Sequence, residues 1–356
     1  MATMESSRRV SIIVPYYNSA KYIGRLIESV RSQSFDRFQC ILVDDGSDDD
    51  SFELIRMLVD GDPRFINVHR PENRLPGGRG AKNFGFSLCD GEYTVFFDSD
   101  DVMHPEYLAS RITYLDSNPS KDAVVSDFGW RVTPGEHRRV FRYNRDLFEG
   151  FRDNAKEDWF WLHYLDYRFF FSPGNPMWRR SSIEDKPLWE ETTTIGEDYE
   201  YHARLILSGL EMGIIDGVHY DLMANEASMI ATSDSTKPLL GRSYGKMLVI
   251  DSILRNLGLR EKILKKELYC QTKILRRIMT CEPDPVLRYE ALDTMIERID
   301  RLMNLLRYSK PRRMASTVGL KAIVEWQGLT GRSHRLYSLL VPDEYPTLEH
   351  SFFKIS

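Results

Sequence analysis

The chain has 356 residues, 42% hydrophobic and 28% charged, with a formal net charge of −5, the composition of a soluble globular protein too long for one ordinary core. No window approaches the ~18–20 uncharged apolar residues of a bilayer-crossing helix, and the start MATMESSRRV has no apolar run after its basic residues to serve as a secretory signal. Four cysteines without CxxC spacing argue against a disulfide framework or a thiolate metal site and for free thiols in a reducing cytoplasm.

Residues 10–100 alternate apolar strands with amphipathic helices. Val10–Val14 is a continuous apolar run ended by Pro15, as expected for a buried parallel strand. Ser19 is placed to cap a helix whose apolar positions Ile23, Leu26, Ile27 and Val30 follow the 3.6-residue period. A second strand spans Phe38–Asp45, a second helix Phe52–Leu58 and a third strand Phe65–His69. A Gly-rich loop comes next, then a helix near Ala81–Leu88 and a strand over Tyr93–Asp98. This alternation predicts an α/β fold with right-handed crossovers and an open, mostly parallel, Rossmann-like sheet flanked by helices. Val124–Val132 reads as a further strand, residues 150–200 as irregular and aromatic, and Tyr201, Leu205 and Ile206 as one helix. Beyond about residue 236 only helical spacing remains, so the chain divides into residues 1–235 and a C-terminal helical domain, 236–356. Charge divides at the same place. Residues 1–235 carry 26 basic and 40 acidic side chains, and the remainder 22 and 13. An acidic part suits a cation and a basic part an anionic surface.

Ligands in such sheets bind beyond the carboxyl ends of the strands. Those ends carry Pro15-Tyr16-Tyr17-Asn18, Asp44-Asp45 and Asp98-Ser99-Asp100-Asp101. Carboxylates two apart at a strand terminus can share one hard cation, and oxygen ligands favour Mn²⁺ or Mg²⁺. A bare DxD is more often a solvated turn or helix cap; its place after Val95-Phe96-Phe97 makes it a site. Tyr17 offers a face for stacking on a base, or for core packing. Asp45 can accept from a ribose or a base N–H, or merely close a turn. Pro76–Gly85 is neither G-x-G-x-x-G nor a P-loop, which argues against a nicotinamide dehydrogenase and a P-loop NTPase.

Taken in order, VSIIVPYYN, ILVDDGS, GGRGAKNFG, VFFDSDD and GEDYEY resemble the family-2 inverting glycosyltransferases of GT-A fold over roughly residues 8–232. The resemblance implies that Pro15, Tyr17 and Asp45 hold the nucleobase, usually uracil, with Asn18 beside them. It implies that Asp98 and Ser99 face the ribose and phosphates and that Asp100, with Asp98, binds the metal. Asp198 is then the catalytic base, with Glu197 its neighbour. Where relatives often read Ala-Arg-Asn, this chain has Ala81-Lys82-Asn83, which keeps a charge near the diphosphate but loses the bidentate fork. His219 or Asp221 stands where a third metal ligand would come, although a surface histidine is the plainer reading. Trp178 and Asn175 fall in the segment that relatives use for the acceptor, although a core tryptophan fits the pattern equally.

The expected reaction is transfer of a hexose or N-acetylhexosamine from a nucleotide-sugar, a UDP-sugar first, to a glycan, lipid-linked or protein hydroxyl, with inversion. Mn²⁺ or Mg²⁺ is the expected cofactor, and no nucleic-acid partner is expected. The rivals are a catalytically silent sugar-nucleotide-binding scaffold and a sugar-nucleotide pyrophosphorylase, which needs a Gly-rich basic signature after its first strand where this chain has PYYN. The absence of a QxxRW motif points to single additions and not to processive synthesis. Lys265-Lys266, Arg276-Arg277 and Lys310–Arg313 suggest peripheral contact with anionic lipid at the inner face of the membrane, a homo-oligomer interface, or a solvated face in a cytoplasmic enzyme.

Overall fold

The computed structural model describes residues 9–131, 139–165, 171–192, 196–223, 236–282, 284–307 and 353–355. The first half runs β1 (Val10–Tyr16), α1 (Ile23–Arg31), β2 (Phe38–Asp44), α2 (Ser51–Leu58), β3 (Phe65–His69), α3 (Gly78–Ser87), β4 (Tyr93–Phe96), β5 (Val102–Met103) and α4 (Tyr107–Ser117). The middle adds β6 (Ala123–Arg131), β7 (Arg139–Tyr143), α5 (Phe151–Asn154), α6 (Asp158–Leu165), β8 (Met177–Arg179), α7 (Arg180–Ile183), α8 (Glu197–Leu207) and β9 (Met212–Met223). Then come α9 (Thr236–Leu257), α10 (Glu261–Cys281) and α11 (Pro285–Leu305), with β10 (Phe353–Ile355) near the end.

Sheet order is β10-β7-β6-β8-β4-β1-β2-β3. Strands β4, β1, β2 and β3 are parallel, so the tips of β1, β2 and β4 share one edge. Beyond β4 the sheet is mixed: β8 runs antiparallel to both β4 and β6, and β9 pairs parallel with β6. Both β1 and β2 are buried along their whole length, which is why they read as mostly apolar without polar alternation.

Several boundaries differ from the sequence reading. Strand β1 continues through Pro15 to Tyr16. The Ile13 carbonyl accepts from Phe97 N on the β4 side, and the Tyr16 carbonyl accepts from Asp45 N on the β2 side. Alternation along the strand turns residue 15 toward β4, past the last β1–β4 pair at Ile13 and Phe96, so its missing N–H costs no ladder bond. Ser19 does not cap α1 with its side chain: its carbonyl accepts from Ile23 N, while its hydroxyl meets Tyr17 O and Ser99 Oγ. The Gly-rich loop is itself helical from Gly78, and α3 lies so close to β1 that a Cβ on Gly85 would sit 2.5 Å from Ile13 Cγ2.

Helices α9–α11 pack on the sheet domain, α9 against α8 and α10 against α6. Ile263, Leu264, Leu268, Leu275, Ile278, Leu292, Met295, Ile296, Ile299 and Met303 are all buried, as their spacing predicted, and they join the sheet's core in one continuous cluster. Lys266 is buried between helices and is not part of a basic surface. Lys265 is ion-paired with Glu261. The side chain of Arg276 and the whole of Lys310–Arg313 lie outside the described residues. No described helix is long and apolar enough to cross a membrane.

Candidate active site

At the carboxyl edge of the parallel strands the chain turns sharply three times, and acidic side chains organise each turn. Asp44, buried at the end of β2, accepts from Ser47 N and pairs with His69 at the end of β3. Asp45 accepts from Arg70 Nε on one oxygen and from Gly77 N on the other. That second bond delivers the chain into α3, and Gly77 takes φ of +113°, a value suited to glycine. Asp45 therefore lies at the expected edge, but its first bonds are internal. Tyr17 projects from the end of β1 and is 56% exposed, leaving its ring available for stacking. Asn18 adopts φ of +47° and exchanges two bonds with Asp48, Nδ2 to Oδ1 at 2.6 Å and Asp48 N to Oδ1 at 3.0 Å. Its amide clamps two loops together at the exposed strand edge. Pro15 is buried below the first turn of α3.

The four residues after Phe97 separate by environment. Asp98, Ser99 and Asp100 are partly exposed, and Asp101 is buried. Arg25 Nη2 donates to the Asp100 carbonyl at 3.1 Å, and Ser99 Oγ meets Ser19 Oγ, so α1 braces the tetrad. Asp101 Oδ1 accepts from Met223 N at the end of β9. Its carboxyl is raised well above the ordinary range, by burial first and then by the charges of Asp100 and Asp98. Crowded acidic oxygens of this kind fit a hard divalent cation, with Asp100 and Asp98 as the accessible pair. Among the described residues no third His, Cys, Asp or Glu joins them. Asp221 is buried against Arg131 and His104, and both ring nitrogens of His219 are engaged, with Ser110 and with the Asp216 carbonyl. Neither is a third ligand here.

Lys82 and Asp198 join this edge from behind. Lys82, only 3% exposed, lies with Nζ 3.7 Å from Asp98 Oδ1 and 4.3 Å from the centre of the Trp189 ring. Asp198 sits in the first turn of α8, partly buried, accepting from its own helix at Tyr199 N. Its pKa is pushed up to about 7, by burial first and then by Glu197, with Lys82 opposing and Asp98 adding to the rise. That interaction brings Lys82, Asp98, Glu197 and Asp198 into one electrostatic cluster, joining motifs about a hundred residues apart. His202, one turn further along α8, is fully buried with its pKa pushed down to about 3 by burial, so it is a neutral ring near the site and not a competing base.

The acceptor assignments do not survive. Trp178 is 0% exposed on β8, opposite Thr94 of β4, with its ring against His202. Asn175 is likewise 0% exposed, bonded to Ser126 N and O and to the Tyr143 hydroxyl. Both are core, because β8 inserts between β4 and β6 instead of lining the cleft. The sequence reading passed over Trp189, whose aromatic segment has no period, and Arg70, whose only signal is its place directly after β3.

Residues 11–185 match the family model for glycosyl transferase family 2. The glycosyltransferase GlyG of Streptococcus pneumoniae is 39% identical over 122 residues, 34% of this chain and 40% of that protein. The succinoglycan biosynthesis protein ExoO of Rhizobium meliloti is 28% identical over 226 residues, 62% of each chain. The chain thus spans less than two thirds of the length of the curated relatives it matches. Among solved structures, S. aureus TarS 1-349 in complex with UDP-GlcNAc superposes with a TM-score of 0.61 at 18% identity, over 92% of this chain and 93% of that one. The mannosyltransferase PcManGT of Pyrobaculum calidifontis, in complex with GDP-Man and Mn²⁺, superposes at 0.52 and 16% identity, covering 91% and 88%. The motif order, the mixed sheet with its acidic edge, and the family match agree: residues 11–185 belong to glycosyl transferase family 2, and the chain has the GT-A fold.

Proposed function

We propose that the protein is an inverting, divalent-cation-dependent glycosyltransferase that moves a sugar from a nucleotide-sugar, a UDP-sugar first, to a hydroxyl of a glycan, lipid-linked or protein acceptor. The observation that carries this reading is the Asp198 carboxylate, poised near neutrality beside Lys82 and Asp98. A carboxylate with a pKa of about 7 is half ionised at neutral pH and basic enough to take a proton from an attacking hydroxyl. General-base assistance of this kind contributes roughly 10²–10⁴-fold in rate.

The remaining residues supply binding and orientation. Tyr17 stacks on the nucleobase, and Asp45, accepting from Arg70 Nε and Gly77 N, fixes the end of β2 against the start of α3. Asp100 and Asp98 are the residues that would hold Mn²⁺ or Mg²⁺. When bound, the cation stabilises negative charge on the departing nucleoside diphosphate. Asp198 takes the acceptor proton on the opposite side of the sugar, and one displacement then inverts the anomeric centre. The solved neighbours that bind UDP-GlcNAc or GDP-Man with Mn²⁺ support this choice of donor class and cation.

The test is turnover of UDP-, GDP- and CMP-sugars with Mn²⁺, for the wild type and for Asp100→Ala and Asp198→Ala. Metal-dependent sugar release or transfer from one donor, lost in both variants, is expected. Pyrophosphate-dependent turnover would show a pyrophosphorylase, and donor binding without turnover in the wild type would show a scaffold.

A further inference from the structure

Trp189 belongs to none of the motifs above, yet its ring is the centre of a four-layer stack. Tyr201 lies parallel to the indole, with ring centres 4.2 Å apart and planes 15° from parallel, and so covers one face. Lys82 Nζ, 4.3 Å from the ring centre, must take the other face. Beyond Tyr201 the Arg204 guanidinium completes the stack at 5.5 Å. The backbone is pinned at both ends of this stack. Asn83 Nδ2 donates to Trp189 O at 2.9 Å, and Trp189 N donates to Asn83 Oδ1 at 3.0 Å, which ties residue 189 to α3. Arg204 donates to the Leu188 carbonyl at 2.9 Å and to Glu200, which ties the same segment to α8. Among the described residues the buried indole N–H has no hydrogen-bond partner, so the position uses the ring face and not the polar atom.

Two reacting groups hang on this stack. Lys82 Nζ lies 3.7 Å from Asp98 Oδ1. Asp198 precedes Tyr201 by three residues, which sets the two on the same face of α8. We propose that Trp189 is a positioning residue for sugar transfer: it carries Lys82 on one face and the base helix on the other, and so holds Asp98 and Asp198 to one buried cation. Lys82 then serves the base and not the diphosphate. This rests on the reading of Asp198 as the base. The charged groups facing Asp198 are Glu197 from its own helix, Lys82 from α3 and Asp98 from the turn after β4. Among the described residues, Lys82 is the one cation in this group.

The experiment compares Trp189→Phe, Trp189→Leu, Lys82→Met and the Leu/Met double variant in the full chain. It reads donor KM, kcat and the pH profile, and follows the Asp198 carboxyl by ¹³C NMR, with Asp198→Asn assigning its signal. Trp189→Leu and Lys82→Met should each lower kcat, on the order of 10²-fold for a displaced reacting group. Donor KM should stay within about threefold, which places the loss in the transition state. The acid limb should move about one unit to higher pH as the favourable cation is lost or displaced. The double variant should be no worse than the poorer single, the sign of a shared mechanism. Trp189→Phe, which keeps a ring face, should restore most of the activity. A raised donor KM at unchanged kcat and acid limb in Lys82→Met would assign Lys82 to the diphosphate and overturn the inference. So would a silent Trp189→Leu, or a Trp189→Phe as damaged as the Leu variant. If circular dichroism shows Trp189→Leu unfolded, Lys82→Met and Trp189→Phe decide by the same criteria. If the wild type turns over no donor, the transferase reading falls, and the NMR titration alone decides: an Asp198 signal that titrates at the same pH in Lys82→Met overturns the inference.

Discussion

The four acidic residues of the proposed site differ in what surrounds them, and their substitutions should differ accordingly. Asp198 is raised from an ordinary 3.8 to about 7, so the folded protein binds its proton more tightly than the unfolded chain does. Its contribution to stability therefore falls as pH climbs from about 4 through 7, the opposite of a salt-bridged carboxylate. Asp198→Asn should melt at a higher temperature than wild type at pH 8 and at the same temperature near pH 4, while transfer falls by roughly 10²–10⁴-fold. Wild-type transfer should rise with pH through about 7. Calorimetry and a pH–rate profile check the two halves, and an unchanged melting temperature at pH 8 would contradict the burial argument. Burial, and then the charges of Asp100 and Asp98, raise the Asp101 carboxyl, which accepts from Met223 N. Asp101→Asn should fold and turn over donor nearly as wild type, whereas Asp101→Ala should cost about 1–3 kcal/mol in urea unfolding by orphaning that N–H. Asp100→Asn should keep its fold and lose metal-dependent activity. The sequence shows the tetrad as four similar letters. Which member is buried depends on β9 arriving from 120 residues downstream.

Helix α3 shows what a single element demands of its residues. Gly85 allows the helix to lie directly on β1 and β2, where any side chain would meet Ile13 and Val43. Gly85→Ala should cost about 1–3 kcal/mol by overpacking, read as a lower urea midpoint at constant m-value. The same helix presents Lys82 and Asn83 to the site, so this variant should also lose turnover in proportion to how far α3 shifts. The sequence showed the alternation of strand and helix and most strand limits within a residue or two. It mistook the first turn of α3 for a loop, because glycine-rich composition hides a helix whose glycines are there for close packing. It likewise took Pro15 as a strand end. In the sheet, Pro15 faces a side where β4 has already stopped, which no local pattern reveals.

On the scale of the whole molecule, the parallel sheet and the C-terminal helices share one hydrophobic core. Ile250 and Ile253 of α9 and Ile263 of α10 lie in the same cluster as Tyr199 and Leu205 of α8, and Lys246 donates to the carbonyl at the end of α6. A chain ending at residue 235 should therefore fail to fold cooperatively. A truncated protein with a sharp thermal transition and intact donor turnover would show that the helices are dispensable. Because no described core element is built around a cation, chelation should abolish turnover reversibly, restored by Mn²⁺ or Mg²⁺, and leave the melting temperature unchanged.

What the sequence determined by itself was the order of acidic strand ends and the periodicity of the elements, because both are local properties of spacing and side-chain type. From these follow the α/β class and the expectation that the acidic strand ends, with Asp100, and the distant Asp198 serve one site. The environment of each of those residues was settled only by tertiary structure. Burial raises the carboxyls of Asp198 and Asp101, Trp178 on β8 and Asn175 just before it are taken into the core, and Trp189 becomes the platform beneath Lys82. Desolvation and ring contact arise from elements far apart in the chain, so no stretch of sequence carries them.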